Sequence, residues 1–514
     1  MKVCVLQPDY STTGVDYKNY DPPRDLSVLI PECEVHNVFL NKLTTYKQLK
    51  ELSKQGYDVF VNLCEGYLEW EVPSIDVIYT LELLNLPFTG PSTKLYDPPK
   101  ELMKYLAYCE GVKTPGYAII NELIDVEDAV KHLSFPLFVK PAKAGDSLGV
   151  DEHSLVNNKI ELQQKCISIL DEYGPLLVEE YIAGREFTVL VAANTDVHSC
   201  TVFRPVEYLF PEGREFKTYA LKTSELHPDC NVPCDDPLLD KQLRLATEKI
   251  FKGFNGVGYA RLDFRVNDKK EIYFLEINFT CSVFYKDGYE GSADYILKHD
   301  GIGQSGFLRH IIAEGIARHK RGKKPFVMKG NSIAGYGIYA SRDIKEGEVI
   351  FKGEGRAQRI ITKRFVEKHW NEDEKLHFRR YAYPVSEELF ILWDDDPSEW
   401  APQNHCCEPN TAFDGLNVQA IKNIANGEEL TLDYAEFLDE NMEPFVCQCG
   451  TDSCRGEISG LTANSLTIRE KGLKPGTLII SIPLISGGWH RLMLLKLHHL
   501  LFHHTSLLFL AATW

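Results

Sequence analysis

The N-terminal part of the chain alternates short apolar runs with stretches of helical apolar spacing. Residues 1–9 and 57–63 contain apolar runs that predict buried strands, and the first run is far too short for a signal peptide. Residues 75–84 have the spacing of an amphipathic helix and precede a turn at 86–91 that contains glycine and proline. This alternation predicts an α/β unit with a parallel sheet.

The middle of the chain predicts two further units of mixed helix and strand. Strands are predicted at 137–140 and 176–179 in the first unit, and at 258–264 and 271–276 in the second. A helix is predicted at 307–319.

A charged run that ends in proline, residues 320–325, predicts a linker. Beyond it, short apolar runs broken by glycines predict a mostly β unit. Residues 492–514 are rich in leucine and histidine, but charged and polar residues interrupt the run of about 18 apolar residues that a membrane span needs. A poorly specified tail is the favoured interpretation there, and a membrane-associated or partner-binding helix is the alternative.

The composition is that of a soluble globular protein with an acidic balance. The 514 residues, 44% hydrophobic and 25% charged, suggest about three or four folding units. The net charge of -18 argues against broad nucleic-acid binding, which needs a basic face, and would suit a basic, lysine-bearing partner. Without an export signal, the 14 cysteines do not predict a disulfide framework, and an intracellular location, cytoplasmic or nuclear, is expected.

A lysine at the end of a predicted strand marks the first candidate site. Lys140 closes the strand at 137–140 and precedes a loop that contains Gly145 and Gly149. An ammonium group beside loop N–H donors suits the phosphates of a nucleoside triphosphate. A lysine beside an ordinary surface turn is the commoner explanation of this feature on its own.

Two later strands bring oxygen ligands and an arginine together. Strand alternation puts Arg261 and Asp263 on one face, and it does the same for Glu276 and Asn278 at the end of the next strand. Two carboxylates and an amide oxygen suit a Mg²⁺ ion that bridges phosphates. A pair of solvated strand ends is the alternative.

With these features in order, residues 81–280 resemble the ATP-grasp superfamily, and most closely its D-alanine–D-alanine ligase-like branch. The turn at 86–91 and the segment 100–115 match the part of that family that leads into its ATP domain. Residues 178–182 match its adenine-holding segment, and Glu186 matches its ribose-binding carboxylate.

The resemblance implies a role for each residue of this site. Asp263, Glu276 and Asn278 would bind Mg²⁺, and Arg261 would be catalytic by stabilising the acyl-phosphate and the tetrahedral intermediate. The residues implied in ATP binding are Lys100, Lys140, Gly145, Ser147, Glu179, Glu180, Tyr181, Ile182 and Glu186.

The implied reaction uses ATP to join a carboxylate to an amine through an acyl-phosphate, and three departures qualify it. Residues 7–13 lack the family's Gly-Gly and glutamate signature, residues 145–147 read Gly-Asp-Ser instead of Gly-Ser-Ser, and residues 279–282 lack its Pro-Gly. The first and last departures lie where the amino-acid substrates are held. ATP and Mg²⁺ are therefore better supported than D-alanine, and a small amino-acid or peptide substrate is expected.

A dense cysteine cluster marks the second candidate site. Cys447, Cys449 and Cys454 follow a Cys-x-Cys-x4-Cys pattern. Three thiolates this close together predict a zinc site, which needs a fourth ligand, and Cys406 and Cys407 are the nearest upstream candidates. Unrelated free cysteines are the alternative.

Three further motifs precede the cysteine cluster, at residues 334–337, 404–410 and 427–434. Together with the cluster, over residues 327–460, they resemble the SET-domain protein-lysine methyltransferases, with the cysteines as the post-SET segment. The resemblance implies S-adenosylmethionine as cofactor and a lysine-bearing protein or peptide as substrate.

Individual roles follow from this second resemblance. Tyr434 would be the catalytic-site tyrosine, whose hydroxyl helps orient the amine and the methyl group. Backbone approach is easiest where glycine lacks a Cβ, and the residues implied in S-adenosylmethionine binding are Gly335, Tyr336, Gly337, Asn404 and His405. The implied Zn²⁺ ligands are Cys407, Cys447, Cys449 and Cys454.

Three neighbouring positions leave questions open. Cys406 takes the place of a usual serine, and Leu432 stands where an aromatic residue commonly helps set the number of methyl groups. The multiplicity of methylation is therefore not predicted. Tyr381 and Tyr383 could line a lysine channel, although aromatic core positions are the favoured interpretation.

The two resemblances predict a bifunctional enzyme, a ligase fused to a methyltransferase. The alternative is an active methyltransferase whose ATP-grasp part only binds a nucleotide or a peptide as a targeting module. The expected fold class is multidomain α/β and α+β: an ATP-grasp fold, with an N-terminal α/β subdomain and two α+β lobes, followed by a mostly β SET domain. The predicted bounds are 1–91 for the α/β subdomain, 92–320 for the ATP-grasp domain, 321–326 for the linker, 327–445 for the SET domain, 446–460 for the post-SET segment and 461–514 for the tail.

Overall fold

A computed structural model of the chain divides it into two units, Met1–Gly322 and Lys323–Trp514. The structure describes residues 1–13, 21–65, 71–143, 149–196, 199–213, 215–216, 228–354, 357–393, 403–460, 477–479 and 490–496. All 14 cysteines lie within these ranges and none forms a disulfide. Within the same ranges, no helix is both long and apolar enough to cross a membrane.

The first unit begins with an α/β layer, as the sequence predicts. Its three strands pair in parallel in the order β2-β1-β3, so that their carboxyl ends share one edge. The apolar faces of the two helices pack on the sheet with residues such as Leu49 and Leu81. The elements are β1 (Lys2–Pro8), β2 (Glu34–Leu40), α1 (Thr45–Leu52), β3 (Val59–Asn62) and α2 (Ile75–Leu83).

An antiparallel sheet in the order β4-β7-β5-β6 comes next. Its helix α5 starts where the side chain of Asn158 accepts the N–H groups of Ile160 and Glu161, a standard N-cap. The elements of this lobe are α3 (Lys100–Cys109), β4 (Tyr117–Ile120), α4 (Val126–His132), β5 (Leu137–Pro141), β6 (Leu155–Val156), α5 (Lys159–Tyr173) and β7 (Leu176–Glu180).

The third sheet of this unit has the order β11-β10-β8-β12-β13, with β9 paired to β8. The elements that complete the unit are β8 (Arg185–Ala193), β9 (Cys200–Val202), β10 (Val206–Tyr208), β11 (Asn231–Pro233), α6 (Pro237–Gly253), β12 (Tyr259–Val266), β13 (Ile272–Asn278), α7 (Ser292–Asp300) and α8 (Gly303–Gly322).

Alternation along β12 separates the core from the candidate site. Leu262 and Phe264 enter the apolar cluster that also contains Leu243 of α6. Arg261 and Asp263 therefore point to the opposite face, where they are only partly buried. The predicted arrangement of these two residues on one face is confirmed.

Helix α8 is longer than predicted at both ends. It runs to Gly322, and β14 begins at Phe326, so residues 320–322 belong to a helical turn and not to a linker. The charged side chains of this stretch remain compatible with a helix because lysine and arginine suit the last turn.

The second unit is mostly β, as predicted, and is built of small sheets in the orders β14-β15, β16-β22-β21, β18-β19-β17-β27-β26, β20-β23 and β24-β25. Its elements are β14 (Phe326–Asn331), β15 (Gly335–Ala340), β16 (Val349–Phe351), β17 (Ala357–Thr362), α9 (Lys363–His369), α10 (Glu372–Tyr381), β18 (Tyr383–Pro384), β19 (Leu389–Leu392), β20 (Asn404–His405), β21 (Thr411–Asp414), β22 (Asn417–Ala420), β23 (Thr431–Leu432), β24 (Phe445–Val446), β25 (Glu457–Ile458), β26 (Thr477–Ile479) and β27 (His490–Lys496).

One short parallel pair organises the site of this unit. In β20 and β23, Asn404 lies opposite Thr431 and His405 opposite Leu432. This register brings two motifs together that are far apart in the sequence, and it places Tyr434 beside His405. Most of the predicted tail, residues 461–514, lies outside the described residues.

Candidate functional sites

A buried carboxylate between two lysines forms the base of the first site. The two oxygens of Glu179 lie 2.6 Å from Lys104 Nζ and 2.7 Å from Lys140 Nζ. Burial alone would raise the pKa of Glu179, but attraction to the two lysines outweighs it and lowers the pKa to about 2. Burial likewise opposes the charge of Lys140, and the attraction of Glu179 and Glu276 raises its pKa overall. Lys140 is therefore a fixed cation at the end of β5.

Lys104 was not singled out by its sequence. It lies four residues after Lys100 on α3, so both side chains lie on one face of that helix. That spacing was the available signal, but nothing in the local pattern indicates that Lys104 reaches Glu179. The side chain of Lys104 is buried, and so is that of Glu179.

We expect Glu179→Gln to lower the free energy of unfolding of the first unit by about 3 kcal/mol at pH 7, because it leaves the buried Lys104 and the partly buried Lys140 without their carboxylate. The pKa of Glu179 is lowered, so its contribution is present above pH 4.5 and is lost as the pH falls through about 2. Urea unfolding at several pH values should show the difference between variant and parent shrinking below about pH 4.5.

The exposed pair of Glu51 and Lys54 provides the control for this measurement. Glu51→Gln should change the free energy of unfolding only slightly at any pH, because this ion pair is exposed to solvent. A difference at Glu179 that stays constant down to pH 2 would contradict the ion-pair explanation.

The residues predicted to bind Mg²⁺ do converge. Asp263 and Glu276 are direct partners in the β12–β13 register, and Arg261 pairs with Asn278. Arg261 contacts both carboxylate oxygens of Asp263 at 3.2 and 3.3 Å, and Lys100 Nζ lies 3.8 Å from Glu276 Oε2. Two carboxylates and an amide oxygen on one face are the hard donors that Mg²⁺ prefers, so this donor set fits the ion.

The segment predicted to hold adenine and ribose makes contacts within the protein. Glu180 accepts the N–H of Ser134, and Arg265 forms a 3.1 Å ion pair with Glu186. The guanidinium of Arg265 also lies 5.1 Å from the ring centre of Tyr181, a cation–π distance. Arg265 was missed by the sequence analysis although it continues the alternation of Arg261 and Asp263 along β12.

The side chains of Glu179 and Glu180 are thus engaged by the protein itself. The backbone N–H groups of Glu180 and Tyr181 also bind within the protein, at Gly116 O and Pro136 O. Gly145 and Ser147, the two phosphate-loop residues of the prediction, lie outside the described residues.

A buried polar cluster lies beside the loop that follows Asn278. Arg24 donates to the carbonyl oxygen of Val283 at 3.0 Å and lies 3.5 Å from Glu65, and Tyr259 donates to Glu65 at 3.0 Å. Burial raises the pKa of Glu65 to about 8, with Arg24 acting in the opposite direction. The apolar side chains of the loop, at Phe279, Cys281, Val283 and Phe284, are buried, whereas Thr280 is partly exposed and Ser282 is exposed. A buried network of hydrogen bonds and ion pairs thus lies beside residues 279–282, where the sequence departs from the family pattern.

Two glycines of the second site are required for different reasons. Gly335 has φ +84°, a left-handed conformation that favours glycine. At Gly337, a Cβ would lie 2.4 Å from Glu429 Oε1, so no side chain fits without displacing that carboxylate. Asn404 links the same elements, because its Nδ2 donates to Tyr336 O at 2.7 Å and to Glu429 Oε1 at 2.8 Å.

Glu429 joins the predicted cofactor residues into one network. Besides Asn404, it accepts hydrogen bonds from Asn331 Nδ2 at 3.0 Å. The sequence motif at 427–434 contains Glu429, but the sequence did not predict its hydrogen bonds with Asn331 and Asn404. Gly335, Tyr336, Gly337 and Asn404 are therefore brought together, with Glu429 between them.

Tyr434 lies in an aromatic environment. Its hydroxyl donates to Gln403 O at 2.7 Å, and burial, together with Tyr336 and Tyr381, raises the pKa of Tyr434. The hydroxyl is therefore neutral at physiological pH. The ring of Phe437 lies 5.6 Å from that of Tyr434.

The two tyrosines considered for a lysine channel differ in their surroundings. Tyr383 packs 5.1 Å from Phe413 and 6.0 Å from Phe437, centre to centre. Tyr381 is 41% exposed at the end of α10. Tyr383 thus belongs to the aromatic group next to Tyr434, whereas Tyr381 lies at its open side.

Four cysteines of the second unit lie close enough together to hold a metal ion. The Sγ atoms of Cys407, Cys447, Cys449 and Cys454 all lie within 4.8 Å of one another. The Cys407–Cys447 distance is 3.8 Å, and a tetrahedron with zinc–sulfur bonds of about 2.3 Å has sulfur–sulfur edges of about 3.8 Å. The cluster includes Cys407 and not Cys406. Four thiolates at this spacing fit Zn²⁺.

Two family models match the chain in separate segments. Residues 117–283 match the model described as D-ala D-ala ligase C-terminus. This segment contains Lys140, Glu179 and Asp263. Residues 335–435 match the SET domain model, and this segment contains Asn404 and Tyr434. The two matches lie in the two structural units described above.

Known relatives resemble the first segment. The D-alanine–D-alanine ligase of Aquifex aeolicus is 28% identical over 200 residues, which are 38% of this chain and 64% of that protein. The D-alanine–D-alanine ligase of Legionella pneumophila is 31% identical over 213 residues, which are 38% of this chain and 57% of that protein. The chain thus spans less than two thirds of the length of these relatives. Among solved structures, the D-alanine–D-alanine ligase from Bacillus anthracis complexed with ATP is 19% identical, with a TM-score of 0.45, and the match covers 63% of this chain and 100% of that one.

Proposed function

Because the chain carries a D-alanine–D-alanine ligase-like ATP-grasp domain and a SET domain, we propose that it is a bifunctional enzyme. One unit is an ATP-dependent carboxylate–amine ligase, and the other is an S-adenosylmethionine-dependent protein-lysine N-methyltransferase. The ligase proposal rests on Asp263 and Glu276, which face each other beside Arg261 and Lys100. The methyltransferase proposal rests on the buried, neutral hydroxyl of Tyr434 beside the network of Asn404 and Glu429.

In the ligase unit, fixed cations offset the negative charge of the phosphates. Lys100 and Lys140 supply that charge, and Glu179 holds Lys140 in place. Arg261 lies next to the carboxylate pair, where it would stabilise the acyl-phosphate and the tetrahedral intermediate. Asp263, Glu276 and Asn278 would hold Mg²⁺, which neutralises phosphate charge when bound.

In the methyltransferase unit, the protein supplies position and a dry channel. Methyl transfer from a sulfonium, which S-adenosylmethionine supplies when bound, needs a neutral lysine amine in line with the methyl group. Aromatic residues beside Tyr434 exclude water and so favour the neutral amine. The Tyr434 hydroxyl can orient that amine but cannot deprotonate it, because its pKa is raised.

We expect zinc to bind at the cysteine cluster of this unit, and substitutions at two cysteines test this expectation. Cys454→Ser removes one of four thiolates and should abolish tight zinc binding, because serine is a poor ligand for Zn²⁺. Cys406→Ser is the matched control, since Cys406 lies outside the four, and it should retain about one zinc per chain. Elemental analysis of the purified variants measures both. Zinc loss in Cys406→Ser, or retention in Cys454→Ser, would contradict this ligand set.

Two assays on the wild-type protein test the proposed activities. Phosphate release with ATP, Mg²⁺ and a panel of amino acids and short peptides should exceed the rate without an amine acceptor. Labelled S-adenosylmethionine should transfer methyl groups to protein in a histone or lysate mixture. Background rates in the first assay would reject the ligase, and unlabelled protein in the second would reject the methyltransferase.

The second candidate is an active methyltransferase whose ATP-grasp unit only binds a nucleotide or peptide. The loop that follows Asn278 favours this candidate, because residues 279–282 lack the family's Pro-Gly where the amino-acid substrates are held. Nucleotide binding without phosphate release, measured on the same protein, would support it. The individual domain bounds and an intracellular location, cytoplasmic or nuclear, remain predictions.

A further inference from the structure

The imidazole of His405 touches both the zinc cluster and the catalytic tyrosine. Its Nδ1 accepts the backbone N–H of Tyr434 at 3.1 Å, and its Nε2 lies 3.5 Å from Cys407 Sγ. The side chain is only 3% exposed. Both ring nitrogens are therefore engaged within the protein, and neither is directed to solvent.

These contacts favour one tautomer of the ring. A neutral imidazole has one N–H donor and one acceptor nitrogen. Because Nδ1 accepts an N–H, the proton of His405 lies on Nε2 and points to the Cys407 sulfur. Asp433 does not compete for Nδ1, because its Oδ1 lies 3.6 Å away and already accepts from Arg455 Nη2 and the N–H of Ala435.

A second contact ties the same sulfur to the same short segment. The backbone N–H of Arg455 donates to Cys407 Sγ at 3.4 Å, and the guanidinium of Arg455 donates to Asp433, the residue before Tyr434. The Cys407 sulfur therefore receives two N–H groups whose other contacts hold residues 433 and 434. A zinc-bound thiolate is a better-fixed acceptor than a free thiol, because the metal keeps it deprotonated.

We propose that His405 is a positioning residue that couples zinc binding at Cys407 to the placement of Tyr434. This inference rests on the proposed zinc site and methyltransferase function. Zinc fixes the Cys407 sulfur, the sulfur orients the His405 ring through Nε2–H, and Nδ1 of the oriented ring holds the Tyr434 backbone. Loss of zinc frees the ring to turn and removes the acceptor from Tyr434.

Two substitutions separate the two halves of this coupling. Asparagine at 405 can present an oxygen near the position of Nδ1 but does not reach Cys407, whereas glutamine can present an N–H near the position of Nε2 but leaves the Tyr434 N–H without an acceptor. His405→Asn should weaken zinc binding about 10-fold, as measured by competition with a chromophoric chelator, and should lower the methyl-transfer rate at saturating zinc less than His405→Gln does. His405→Gln should keep zinc affinity within about 3-fold and lower the methyl-transfer rate about 10-fold.

His369, whose ring lies 4.6 Å from that of Phe365 in the same unit, is the control. His369→Gln should change neither zinc affinity nor the methyl-transfer rate. If both variants at 405 leave zinc affinity unchanged, or if both lower the two readouts equally, the coupling is wrong.

Hydrogen exchange on the wild-type protein tests the coupling without a substitution and without catalysis. Chelation of zinc should speed amide exchange at Tyr434 by about 10-fold or more, because its N–H loses the fixed acceptor. Unchanged exchange at Tyr434 after zinc removal would overturn the proposal. A protein that binds zinc and shows this response but transfers no methyl group would sink the proposed methyltransferase and leave the coupling intact.

Discussion

Glu276→Gln should lower the rate of ATP-dependent phosphate release about 1000-fold, which corresponds to about 4 kcal/mol of transition-state stabilisation. Glu276 faces Asp263 across the β12–β13 ladder and also lies 3.8 Å from Lys100. Its amide counterpart keeps the size of the side chain but removes the charge that both Mg²⁺ and Lys100 require. Initial rates with saturating ATP and the best acceptor from the panel measure the effect.

Glu271, just before the same strand, gives the matched control for this substitution. Its carboxylate pairs with Lys113 at 2.7 Å, and both side chains are accessible to solvent. Glu271→Gln should release phosphate within about 2-fold of the parent. A Glu276→Gln enzyme that is as fast as the parent would remove the metal-binding role of the carboxylate pair.

Tyr434→Phe should lower the methyl-transfer rate about 100-fold while zinc content and S-adenosylmethionine binding are retained. The lost hydroxyl orients the lysine amine in this account, whereas the aromatic ring still fills its place beside Phe437. The stability cost should be small, about 1 kcal/mol, for the hydrogen bond to Gln403 O. Labelled methyl transfer under single-turnover conditions measures the chemical step.

Cofactor binding separates a chemical effect of Tyr434→Phe from a structural one. The dissociation constant of S-adenosylmethionine should change less than about 3-fold, because Asn404 and Glu429 do not contact the Tyr434 hydroxyl. Wild-type methyl transfer by the variant would show that the hydroxyl takes no part in catalysis.

Local pattern was enough to predict the pieces of both sites. Strand alternation placed Arg261 with Asp263, and the cysteine spacing predicted a cluster that the structure assembles with Cys407. Such predictions succeed because strand period and close thiol spacing depend on residues near one another in the chain.

Contacts between distant segments could not be predicted from the sequence. Lys104 reaches Glu179 across 75 residues, and Asn331 reaches Glu429 across 98. A lysine on a helix or a glutamate in a strand carries no local mark of such a partner. The same is true of His405, whose motif suggested the cofactor while its ring contacts Tyr434 and Cys407.

The extent of α8 shows how a local rule can mislead. The run from Lys320 to Pro325 has the charge and the proline of a linker, yet the helix continues to Gly322. Basic residues are favourable at a helix carboxyl end, so charge alone did not mark the boundary. The helix ends at Gly322, three residues before Pro325, and β14 follows from Phe326.

One crossed measurement tests the central claim that two independent catalytic units share this chain. Parent, Glu276→Gln and Tyr434→Phe proteins are each assayed for ATP-dependent phosphate release and for methyl transfer from S-adenosylmethionine. The account predicts that the parent has both activities, that Glu276→Gln loses only the first, and that Tyr434→Phe loses only the second. A parent with either activity missing, or a single substitution that removes both activities in a folded, zinc-containing protein, would contradict it.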